Sequence, residues 1–60
     1  MISITDIYRT ANEFIKQHGD DAAIFAAMKA DEKLEKADFD GQAVWIRIMK
    51  AVDELLSVVI

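Results

Sequence analysis

The sequence predicts an all-α fold: a small three-helix bundle, or a helical hairpin followed by a longer third helix, completed by self-association. Three observations predict it. The 60-residue chain has no Pro and only two Gly, while the strong helix formers Ala, Leu, Met, Lys, Glu and Gln are abundant. The two glycines, Gly19 and Gly41, cut the chain into three segments. Within each segment, apolar residues recur every three or four positions, the spacing of a helix that buries one face. Self-association follows from size. A chain this short buries only roughly 60% of its unfolded surface and needs help from disulfides, metal or a partner copy. There is no Cys and only one histidine, His18, so oligomerisation is the remaining aid.

The first helix spans residues 4–18. Ser3 followed by Asp6 reads as a capping box with the shorter acid, and Ile4, Ile7, Tyr8, Ala11, Phe14 and Ile15 form its inner face. Gly19 supplies the positive-φ residue that ends many helices, with His18 in the last turn, where solvent is expected around it. The second helix spans residues 21–37, with Asp20 as its N-cap and Asp21 at the positive end of the dipole. Its inner stripe reads as Ala23, Ile24, Ala27, Met28, Ala30 and Leu34, with Ala37 at the end. Phe25 falls at the edge of that stripe.

The stretch DFDG, Asp38 to Gly41, has the acidic spacing of a calcium loop. With Gly41 at position 6 of such a loop, position 1 would be Lys36 and position 12 Arg47, a cation at each end. A helix start explains the residues instead, with Asp40 as N-cap and a hydrophobic staple between Phe39 and Val44. The third helix then spans residues 41–58. Val44, Ile48, Ala51, Val52, Leu55, Val58 and Val59 share one side, and Trp45, Met49 and Leu56 widen it to roughly 200°, against the ~100° of a one-sided helix. A face so broad is expected to meet both neighbouring helices and a second copy of the chain. Trp45, Val52, Leu55, Leu56 and Val59 are the candidate interface, with Trp45 equally well explained as core. The apolar run from Val58 to Ile60 reads as a docked end, as part of that interface, or as a truncation boundary.

Charge is distributed unevenly. Residues 1–19 and 41–60 each balance two acids with two cations, whereas residues 20–40 hold seven acids against three lysines, the whole net charge of −4. No basic patch exists to meet phosphates, which argues against direct nucleic-acid binding. The acids of the second helix, Asp31, Glu32 and Glu35, form a candidate acidic face. They would suit a regulator or inhibitor docking on a basic surface of a nucleic-acid-binding protein, or would simply solvate the helix.

The residues offer no enzyme. There is no Gly-rich phosphate loop and no nucleophile beside an oriented base, and His18, Asp20 and Asp21 are too close in the chain to converge on one ion. No cofactor and no metal site are expected. The N-terminus lacks the pattern of a signal peptide, and no apolar run reaches the roughly 18–20 residues of a transmembrane helix, so the expectation is a cytoplasmic chain with no membrane contact. The pattern from HGDDAA through ADFDGQAVWIRIMKAVDEL resembles short bacterial proteins, particularly of alphaproteobacteria, grouped as domains of unknown function. The likeness covers roughly residues 14–56, on His18 to Ala22, Asp40 and Gly41, Trp45, and Ile48 to Leu55. It implies a small cytoplasmic helical protein and supplies no activity or site residue. The function expected is a noncatalytic helical protein-interaction module, homo-oligomeric through its third helix and open to an unidentified protein partner; the alternative is an acidic regulator or inhibitor docking on a basic surface of a nucleic-acid-binding protein.

Overall fold

The computed structural model describes residues 3–57, and every one of its elements is helical. Helix α1 spans Ile4–His18, a 3₁₀ turn spans Gly19–Asp21, helix α2 spans Ala22–Glu35, and helix α3 spans Phe39–Ser57. The bundle is the all-α fold that the periodicity predicts. Helix α3 is central: it packs against both α1 and α2, and more extensively against α2. Helices α1 and α3 run antiparallel, since Tyr8 meets Glu54 near one end and Phe14 meets Trp45 near the other.

The core is thin because of what fills it. Eight of the described residues are buried, and five of them are alanines: Ala11, Ala22, Ala26, Ala30 and Ala51. Ile7, Ile48 and Val52 supply the larger side chains. Around them Phe14, Ile15, Trp45, Met49, Leu55 and Leu56 are partly buried and pack on the same cluster. No polar or charged residue is buried among the described residues, and no buried side-chain polar atom lacks a partner. The small residues let helix backbones approach closely, while apolar burial per residue stays low, so much of the stability rests on half-buried aromatic and aliphatic side chains.

Helix α2 corrects the sequence reading. The buried stripe is Ala22, Ala26 and Ala30, whereas Ile24, Met28 and Leu34, expected inside, are exposed. At 3.6 residues per turn, Ala26 and the pair Ile24 and Met28 lie on opposite sides of the helix. The helix therefore carries two apolar stripes, and size-weighted periodicity selects the one with the larger residues. Close packing against α3 selects the other, because a methyl group fits where two backbones nearly touch. Ile4, expected on the inner face of α1, is also outside, at 71% exposure.

The turns correct the capping scheme. Ser3 does cap α1, with the Asp6 N–H donating to its Oγ at 3.2 Å, while the Asp6 carboxylate pairs with Arg9 instead. Gly19 ends α1 at φ 59°, and its N–H donates to the Ile15 carbonyl. Asp20 makes no capping hydrogen bond, because the chain passes through a 3₁₀ turn before α2 begins at Ala22. Helix α2 ends earlier than expected, at Glu35. Ala37 is not part of it but takes φ 57° in a Schellman turn, where the Asp38 N–H reaches the Lys33 carbonyl at 2.9 Å and the Ala37 N–H reaches Leu34 at 3.0 Å.

Asp38, and not Asp40, is the N-cap of α3. Its Oδ1 accepts the Gly41 N–H at 2.9 Å, and its own carbonyl accepts the first helical bond, from Gln42. Phe39 is then the first helical residue and is exposed, so it forms no staple with Val44. The turn at Ala37 sets Asp38 directly ahead of the first helical residue. A Cβ on Gly41 would lie 2.6 Å from the Asp38 Oδ2, the far end of a flexible side chain, so a larger residue would make the capping carboxylate shift.

Candidate functional site

Three observations describe the surface that the chain presents. The first is how the expected interface is used. Val52 is fully buried inside the chain, and Trp45, Leu55 and Leu56 are half-buried against the same core. Helices α1 and α2 thus cover the centre of the broad face of α3, the part that sequence reasoning shared with a second copy. Val59, with Val58 and Ile60, lies outside the described residues. Trp45 sits 5.2 Å from Phe14 between ring centroids, in a row that continues through His18 to Phe25. His18 is not left to solvent: its ring stacks on Phe25 at 3.9 Å and meets the edge of Phe14 at 5.4 Å. That row ties the ends of α1 and α2 to α3.

The second observation is the division of the acidic face. Glu32 lies between two lysines, Lys29 at 3.9 Å and Lys36 at 3.5 Å, and Lys33 is taken by Asp38 at 3.8 Å. All three lysines of the acidic segment are thereby engaged. Asp31 and Glu35 meet no cation among the described residues. Such exposed pairs contribute little to stability, yet they decide where charge remains uncompensated.

The third observation joins the first two. Ile24, Met28, Asp31 and Glu35 follow one another at spacings of four, three and four, a single line along the outside of α2. Ile24 is 60% exposed and Met28 57%. The stripe is apolar in its N-terminal half and acidic in its C-terminal half. Sequence reasoning found its acids but placed Ile24 and Met28 inside; the signal available was a second, alanine stripe on the opposite side of the same helix.

Elsewhere the described surface includes a wide depression and a narrower groove. The wide one, of about 580 Å³, runs along α1 from Ile4 to Lys16, where Arg9 and Lys16 are already paired with Asp6 and Glu13. The narrower groove, of about 280 Å³, lies between α1 and α3. Ile4, Ile7 and Ala51 line it together with Arg47 and Lys50, and the Tyr8 hydroxyl donates to the Glu54 carboxylate at 2.7 Å within it. That hydrogen bond, with some desolvation and the charge of Glu54, holds Tyr8 above its usual pKa of 10.0. Among the described residues no three His, Cys, Asp or Glu side chains converge on a metal position, and no helix is long and apolar enough to cross a membrane.

No protein family, curated protein or solved structure matches the chain.

Proposed function

We propose that the chain is a small noncatalytic protein-interaction module of the cytoplasm that binds through the outer stripe of α2. The observation that carries this reading is the alignment of exposed Ile24 and Met28 with the uncompensated Asp31 and Glu35. Large exposed apolar side chains that follow one helical line mark a contact surface more than scattered ones do. Binding there would be driven by apolar burial, while the acids set orientation and favour a surface that is apolar at one end and basic at the other. The reading keeps the acidic-docking idea, moves its centre to the line from Ile24 to Glu35, and leaves Glu32 with its lysines. Self-association through α3, using Trp45, Leu55 and Leu56, is the second reading. Their half-burial supports it, and the enclosure of Val52 in the chain's own core takes away its centre.

The test is titration with a designed helical peptide bearing leucines on one half of a face and lysines on the other. Saturable binding is expected, weakening as salt rises. Met28→Glu should weaken it about tenfold, roughly 1.4 kcal/mol, with helical content unchanged. Absence of saturable binding, or binding indifferent to Met28→Glu, would remove α2 as the docking face.

A further inference from the structure

The stripe on α2 has a complement on this same chain, and we infer that its occupant is a second copy held head to tail, the α2 stripe of one copy lying in the α1–α3 groove of the next. The inference rests on the reading of the α2 stripe as a docking face and names what docks there.

Pairing the stripe with itself fails on its own chemistry. A parallel arrangement sets Asp31 and Glu35 against the same acids of the other copy. An antiparallel one presses those carboxylates onto Ile24 and Met28, where charge is desolvated without a partner. The occupant must instead be apolar at one end and cationic at the other. The groove between α1 and α3 has that composition, with Ile4, Ile7 and Ala51 beside Arg47 and Lys50. Ile4 is the most exposed large apolar residue described, at 71%.

Charge accounting singles out the same groove. Arg9, Lys16, Lys29, Lys33 and Lys36 each meet a carboxylate within 4 Å. Among the described residues Arg47 and Lys50 do not, and they lie together in the groove. The unengaged acids of the stripe thus face a chain whose two unengaged cations sit beside an apolar surface.

Length and polarity agree. The midpoint of Ile24 and Met28 precedes that of Asp31 and Glu35 by seven residues; on α3 Arg47 precedes Glu54 by seven, and the Tyr8–Glu54 hydrogen bond sets Ile4 and Ile7 of α1 toward the Glu54 end of the groove. At 1.5 Å per residue each interval is about 10 Å, so acids and apolar residues reach the two ends of the groove together. Only one direction fits. With Asp31 and Glu35 at Arg47 and Lys50, Ile24 and Met28 cover Ile4 and Ile7; reversed, the acids would meet Glu54, which Tyr8 holds in place. Stripe and groove share no residue, so one copy can use both at once. The contact is heterologous, and it propagates beyond two copies unless a ring closes.

Light scattering across a concentration series at low salt tests this, with helical content followed in parallel. The wild-type chain is expected to grow past a dimer as concentration rises and to shrink as salt is added. Met28→Glu breaks only the stripe and Lys50→Glu only the groove, so each alone should be monomeric at the same concentration. Their equimolar mixture should form a complex that stops at two copies, because one intact stripe meets one intact groove and the remaining faces are both spoiled. A wild-type chain that stays monomeric, a dimer that neither variant disturbs, or a mixture that fails to pair would overturn the head-to-tail contact. If the designed peptide still binds the stripe in those cases, the docking face survives and only its occupant is wrong. If the peptide fails as well, both readings fall.

Discussion

Gly19 and Ala37 end the first two helices at nearly the same backbone angle, φ 59° and 57°, yet the two turns are held by different means. At the α1–α2 corner the residue is glycine, no side chain caps the next helix, and an aromatic row from Phe25 through His18 and Phe14 to Trp45 holds the corner from one side. At the α2–α3 corner the residue is alanine, which disfavours positive φ, and a set of short hydrogen bonds enforces it. The second turn joins a Schellman motif directly to an N-cap, since Asp38 is both the last donor to α2 and the cap of α3. One corner uses the residue suited to the angle; the other forces an unsuited residue into it. Backbone freedom and hydrogen bonding are thus two different means of turning a chain.

Mutations at the two corners separate these means. The largest effect is expected at Gly19. Its ψ of −130° joined to φ 59° suits few residues besides glycine, so Gly19→Ala should destabilise by about 1–3 kcal/mol in urea unfolding, though a Cβ there meets nothing within 4 Å. An unchanged midpoint would mean that the corner relaxes freely. Next comes Asp38→Ala, which removes the cap on Gly41 and the Lys33 pair and should cost about 1–2 kcal/mol. The smallest and most diagnostic effects lie beside it. Ala37→Gly should stabilise by about 1 kcal/mol, since glycine accepts the angle that alanine resists. A loss would show that the turn depends on the alanine side chain. Gly41→Ala should be nearly neutral in the wild type, where better helix propensity, about 1 kcal/mol, is offset by displacement of the Asp38 carboxylate. In an Asp38→Ala background the same change should stabilise by the full amount, and simple additivity would refute the link between the two residues.

The same contrast explains what was legible in the sequence. The number of helices, the turn at Gly19, the cap at Ser3 and the buried stripe of α3 through Ile48, Ala51 and Val52 all follow local rules of period and capping. The corner at Ala37 was not legible, because no local rule places alanine at positive φ; only the hydrogen bonds around it do. Asp38 and Asp40 carry identical capping chemistry, and the choice between them depends on where the turn at Ala37 ends and the helix begins. The candidate site suffered more. Periodicity marks Asp31 and Glu35 as acidic surface but sends Ile24 and Met28 inside, because apolar size outweighs fit in a periodicity argument. Which stripe of α2 faces α3 is a property of close packing between two helices, and one helix alone does not contain it.

The alanines that face α3 have a further consequence, for mutational tolerance. A core of Leu and Phe fails by being hollowed out, since each truncation leaves a cavity. Ala22, Ala26 and Ala30 have one methyl each to lose, so truncation there leaves almost no void. Enlargement is another matter: any bigger side chain must push one backbone away from another. This bundle is vulnerable to excess volume rather than to its loss. The outward stripe of the same helix is free of that constraint, so α2 can change what it presents to partners while the side that holds it in place stays small.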